Sequence, residues 1–137
     1  MSFPEFCLRG IRVKNWVLDD QKVAPMAFEP IVKNPTIRDD GLLETSISWE
    51  DNEEVLDFCF TNFKNNFEFG AVRLSTIKLD FIISGADKGH LLYERRPVDD
   101  NNHHGNILFY EGIPTRSRRL IESSLSFFSS KVIPNNK

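Results

Sequence analysis

In LLETSISW, residues 43–49 alternate without a break: Leu43, Thr45, Ile47 and Trp49 fall on one side, and Glu44, Ser46 and Ser48 on the other. Successive side chains of a strand point to opposite faces, so this pattern predicts a strand with one buried face. The period then changes. In VLDFCFTNF, Val55, Leu56, Cys59, Phe60 and Phe63 recur at helical spacing, which predicts a helix directly after the strand. Asp51 is the expected cap, with Glu54 three residues on as a capping box requires, and KNN is the expected end.

FGAVRL reads as a short strand. STIKLDFIIS fits two periods: Ile77, Leu79, Phe81 and Ile83 alternate as in a strand, whereas Leu74, Ile77 and Phe81 suit a helix that Ser75 would cap and Gly85 would end. The helix is the preferred reading. GHLLYERRPV predicts another strand, stopped at Pro97, which has no N–H to give a ladder. DDNN is turn chemistry and GNILFY resumes a strand, so the two runs predict an antiparallel hairpin. A last helix opens at Pro114 and Thr115; Ile121, Leu125, Phe128 and Val132 form its core stripe, Pro134 ends it, and PNNK is a frayed tail. Near the start, CLRGIRVKNWVL predicts a strand with Leu8, Ile11, Val13 and Trp16 inward, and VAPMAFEPIVKNP an irregular, partly buried connection.

Together these elements predict an α+β fold: a mostly antiparallel sheet covered on one face by two or three helices, with the other face open to a partner. The length of 137 residues fits a single globular domain over 1–137. Twelve phenylalanines argue for a packed interior rather than disorder. The net charge of −3 gives no global attraction for nucleic acid or acidic lipid. Cys7 and Cys59 form no C-x-x-C pair, and Cys59 lies in an apolar run that suits a buried, reduced thiol. The opening MSFPEFCLRG lacks the charged and apolar regions of a secretory signal, and no run approaches the length of a membrane span. A cytoplasmic protein without membrane contact is the expectation.

The candidate chemistry concentrates in DDNNHHGNILFYEG, residues 99–112. His103, His104 and Asp100 are the catalytic candidates, with Glu94 as a further acid or base, because general acid–base work needs a positioned imidazole or carboxylate. Asp99, Asp100 and one histidine could hold a divalent ion. Against that, adjacent histidines on a strand point apart, and four successive Asp and Asn residues satisfy their own backbone as a surface turn does. The turn is the preferred reading, with Gly105 supplying an unusual backbone conformation at the strand entry, and no metal and no cofactor are implied. The chain has no G-x-S-x-G, no phosphate loop and no Cys–His spacing of a known nucleophile. Arg116, Arg118 and Arg119 crowd the first turns of the last helix, where the dipole disfavours cations, so they are candidates for binding an anion or a partner. In RDDGLLE, Arg38, Asp39, Asp40 and Glu44 surround Gly41, and a turn is the expected result.

The order of AF, DDGLLETSISW, an apolar middle, HHGNILF and an arginine-led helix resembles that of small uncharacterised bacterial proteins of similar length. The resemblance runs from Ala27 to about Leu125 and implies no particular activity. Three functions stay open. The first is a non-enzymatic protein-binding module, or a small regulatory or accessory subunit of a bacterial multi-component system. The second is a small hydrolase or nucleotide-processing toxin that uses the loop at 99–104 with arginines 116–119. The third is a nucleic-acid contact through the last helix, which the net charge disfavours. An enzyme would need the histidines and arginines to converge on one pocket.

Overall fold

A computed structural model describes residues 3–30, 40–85 and 90–136. Five strands form one sheet: β1 (Phe6–Gly10), β2 (Leu42–Trp49), β3 (Ala71–Ser75), β4 (Leu91–Arg95) and β5 (His104–Tyr110). Their order is β3-β1-β2-β5-β4, and every neighbouring pair is antiparallel. Three helices accompany them: α1 (Val55–Asn62), α2 (Thr76–Gly85) and α3 (Thr115–Phe128), with short 3-10 turns at Lys14–Trp16 and Pro25–Phe28. The fold is therefore the α+β, antiparallel arrangement expected from the sequence. Residues 31–39, including Arg38 and Asp39, lie outside the described residues, as do 86–89.

The register explains the core. Leu43 stands opposite Phe109, and Phe109 opposite Leu91, so three strands align their apolar side chains in one row. Ile47, Trp49, Val72, Leu74 and Ile107 share this interior with Leu79 and Ile82 of α2 and Ile121 and Leu125 of α3. Burying a side chain of this size stabilises the fold by roughly 1.5–3 kcal/mol. Cys7 belongs to that cluster, whereas its neighbour Leu8 packs with Val55, Cys59 and Phe60 of α1. Adjacent strand residues face opposite ways. So α2 and α3 share one face, and α1 lies against the other, over the β1–β3 half.

Several local expectations change. Asp51 does not cap α1; Asn52 Oδ1 accepts from the Glu54 N–H at 2.9 Å, and Asp51 is engaged by Arg95 and His103 instead. In α2, Ser75 does cap, its Oγ accepting from the Lys78 N–H, but Leu79 and Ile82 are the buried residues while Ile77 and Phe81 face water. The third helix stops at Phe128, well before Pro134. From Ser129 the chain is extended instead of helical. Ser130 N–H bonds the Arg73 carbonyl, and Ile133 exchanges two backbone hydrogen bonds with Ala71, so the chain end lines the outer edge of β3 and covers a row of otherwise open backbone groups. Val132 packs on the core from this extended segment rather than from the helix.

Gly105 also has a different role. Its backbone is not left-handed. A Cβ there would stand 2.3 Å from the Glu94 carbonyl oxygen and 2.3 Å from Trp49 Nε1. The missing side chain lets the Trp49 indole cross the hairpin and donate to the Glu94 carbonyl at 3.1 Å.

Candidate interaction surface

The hairpin loop brings the sequence's reactive residues into one region and ties most of them to structure. Val98 and Asn101 exchange backbone hydrogen bonds, closing a tight turn. Asn101 is buried; its Oδ1 accepts from the His103 N–H and its amide donates to Ser48 Oγ. A carboxylate only accepts, so His103 Nδ1–H donates to Asp51 Oδ2 at 2.6 Å. Arg95 grips the same carboxylate with two nitrogens. Burial works to raise the Asp51 carboxyl, but these hydrogen bonds and charges outweigh it and hold the group below the ordinary carboxylate range. The Phe58 and His103 rings meet edge to face as well, at 5.5 Å between centroids. The trio thus braces α1 against the hairpin. His104, the first residue of β5, has a different partner: its Nδ1–H donates to the Arg96 carbonyl at 2.9 Å.

His104 and Asp100 line a groove of about 710 Å³ where β1 leaves β2 after the Leu8–Ser48 pair. Its polar groups are largely engaged. Arg9 donates to the carbonyls of Ala27 and Ser46, and burial lowers its pKa to about 10. Arg12 lies over the Trp16 ring, and Glu44 accepts from the buried Asn106 amide, which also donates to Glu94. Pro30, at the lip, leads into residues 31–39, outside the described residues. Asp40 Oδ1 accepts from the Leu42 N–H and Gly41 is left-handed, as the expected turn requires. Among the described residues, no group of three or more His, Cys, Asp or Glu side chains is placed to hold a metal ion.

The three arginines separate. Arg118 turns inward to Glu29 at 3.8 Å and to the buried Glu122 at 3.3 Å. Burial raises the Glu122 carboxyl, and the pull of Arg118 does not cancel it. Arg116 and Arg119 face solvent beside Leu120 in a shallow depression of their own. Neither joins the groove that His104 and Asp100 line.

The outer surface of α2 and α3 is the feature that sequence reading passed over. Ile77 is 74% exposed, Phe81 64%, Leu120 63% and Phe127 73%. Leu120 and Phe127 stand seven residues apart, two helical turns, so they share a face that backs onto the inner stripe of Ile121 and Leu125. Between the helices runs a cleft of about 330 Å³, lined by Phe81, Ile82, Leu120, Ile121 and Phe128, with Gly85 and His90 at one end. Phe81 meets Phe128 edge to face at 5.6 Å, and Phe127 meets Phe128 at 5.1 Å. The signal was in TIKLDFIISG, whose apolar residues occupy both sides of the helix. A helix apolar all round belongs in an interior, and here one side faces water. No family model, curated protein or solved structure matches the chain.

Among the described residues, no helix is long and apolar enough to cross a membrane.

Proposed function

We propose that this protein is a non-enzymatic binding module, an accessory or regulatory subunit of a bacterial multi-component system, and that the outer face of α2 and α3 receives a protein partner. One observation carries the reading: four large apolar side chains, Ile77, Phe81, Leu120 and Phe127, are gathered in water on two adjoining helices. Single exposed apolar residues are ordinary, but a contiguous cluster marks an interaction surface. Aromatic residues, phenylalanine among them, are enriched at protein interfaces relative to the rest of the surface.

The test is recovery of partners from the native cells with tagged wild-type protein and with a Phe81→Asp, Phe127→Asp variant. A partner held by wild type and lost by the variant, with thermal melting unchanged, supports the reading; equal recovery contradicts it.

A second reading, a small hydrolase working through the 99–104 loop, draws on the Asp51–His103 pair, which orients an imidazole as a general base needs. It is weaker because Arg118 is engaged by Glu29 and Glu122, and Arg116 and Arg119 border a different depression. It predicts that His103→Ala abolishes the cellular effect of a protein that still folds.

A further inference from the structure

We infer that the outer edge of β4 pairs antiparallel with the same edge of a second copy of this chain, about a two-fold axis at Arg95. This surface is separate from the α2–α3 face, and the inference does not rest on that face.

The two edges of the sheet differ. The β3 edge is covered by the chain end, through backbone hydrogen bonds of Ser130 to Arg73 and of Ile133 to Ala71. β4 is the last strand on the other side, and among the described residues no strand pairs with its outer edge. The ladder decides which backbone groups that edge presents. The Arg96 N–H donates to the His104 carbonyl of β5, and Val98 and Asn101 exchange hydrogen bonds across the turn. Backbone groups alternate sides along a strand, so Leu92, Glu94, Arg96 and Val98 give theirs to the hairpin, and Leu91, Tyr93, Arg95 and Pro97 turn theirs outward. An edge of unpaired N–H and C=O groups is a template for a further strand.

The side chains select which strand. Leu91 and Tyr93 pack on the core that α2 and α3 share, so Leu92, Glu94, Arg96 and Val98 lie on the opposite face. Leu92 is 38% exposed and Val98 42%. Along the strand this face runs apolar, acidic, basic, apolar, an order that is its own complement when reversed. A two-fold axis perpendicular to the sheet at Arg95 sets Glu94 against Arg96 of the second copy, and Leu92 against Val98, on both sides of the axis. Within one chain the same two charges make only a loose contact, 3.9 Å apart.

The backbone fits this register. The Arg95 residues exchange hydrogen bonds at the axis, and each Tyr93 N–H reaches the Pro97 carbonyl of the other copy. Pro97 has no N–H to leave unpaired. The Arg95 side chains approach at the axis, but Asp51 neutralises each of them. A register centred on Tyr93 would instead set Leu92 against Glu94 and lose the charge match. Beyond Pro97 the Val98–Asn101 turn carries the chain back toward β5, so the loop at 99–102 stays outside the seam. With the β3 edge covered, the pairing closes at a dimer rather than continuing into a fibre.

A short seam makes a weak dimer, so sedimentation equilibrium of the purified full-length chain is run from about 10 to 500 µM. Wild type should pass from monomer to dimer over that range. Arg96→Glu sets acid against acid and should weaken association about tenfold or more. The Arg96 side chain is 43% exposed, so this variant keeps its fold, checked by circular dichroism.

Cysteines then test the register in the otherwise native chain. Leu92→Cys protein mixed with Val98→Cys protein should form a disulfide-linked pair on mild oxidation, because residues opposite each other at a non-hydrogen-bonded position stand closest. Neither variant should link to itself, since the two copies of position 92 lie six residues out of register, about 20 Å apart. The native Cys7 and Cys59 are buried and do not compete.

A chain that stays monomeric throughout, a dimer indifferent to Arg96→Glu, or a dimer in which positions 92 and 98 fail to link overturns the inference. Phe81→Asp with Phe127→Asp should leave the dimer intact; its loss in that variant overturns the inference in favour of self-association through the helical face.

Discussion

The loop at 99–105 and the outer face of α2 and α3 invert each other. The loop is composed of groups that do chemistry, yet the fold uses them internally: Asn101 bonds Ser48 and the His103 backbone, His103 bonds Asp51, and His104 bonds a main-chain carbonyl. The helical face is composed of inert residues, yet Phe81 and Phe127 stand in water where burial would be favourable. Reactive residue types therefore do not locate function by themselves. What counts is whether the structure already satisfies them, and among the described residues the unsatisfied surface is apolar.

The contrast can be broken at several points, beginning with the largest effect. Leu125→Ala, on the fully buried inner stripe of α3, should destabilise by about 2–5 kcal/mol in urea unfolding. No change would mean that the inner stripe is not core and that the two sides of the helix have been misassigned. Gly105→Ala should cost about 1–3 kcal/mol, because the added methyl meets the Trp49 indole and the Glu94 carbonyl and forces both to shift. A neutral result would show that the hairpin crossing is loose.

Next comes the loop's own ion pair. Asp51 is held below its ordinary range in the folded chain, so its stabilisation is present above the unfolded carboxylate value of about 3.9 and is lost as pH falls through the lower folded value. Asp51→Asn should flatten that acid limb and lower stability near neutrality by about 1 kcal/mol or less, since the site is partly exposed. An unchanged acid limb would remove Asp51 from the loop's bracing. The smallest effect is expected at the outer face, where Phe127→Ser or Leu120→Ser should alter stability by no more than about 0.5 kcal/mol. A large loss there would show that these side chains belong to the protein's own core.

The sheet was legible in the sequence wherever one face is buried and the other is polar. LLETSISW reads correctly at Thr45, Ile47 and Trp49, which go inward, and at Glu44 and Ser46, which do not, but Ser48 of the polar side is buried as well, because α1 covers that end of the strand. The hairpin was legible for the same reason, from Pro97 and the Asp–Asn run. The orientation of α2 was not, because TIKLDFIISG carries apolar residues all the way round and periodicity cannot tell the buried side from the exposed one. Asp51 was misread because a cap is a local pattern, and its actual partners, Arg95 and His103, are 44 and 52 residues away. The stretch from Ser129 to Ile133 was misread as helix because pairing with β3 depends on tertiary placement of backbone groups that sequence does not encode locally. Of the site candidates, Arg116, Arg118 and Arg119 looked alike in the sequence, and only the position of Glu29 and Glu122 separates Arg118 from the other two.

The comparison meets its most direct test in a photo-cross-linking pair. A benzophenone amino acid replaces Leu120 in one strain of the native organism and Asp100 in another; both positions are exposed, so neither change disturbs the fold. The account predicts a discrete protein adduct after irradiation from position 120, lost when Phe81 is also changed to Asp, and none from position 100. An adduct from position 100 with none from position 120 would contradict it and return the functional site to the histidine loop.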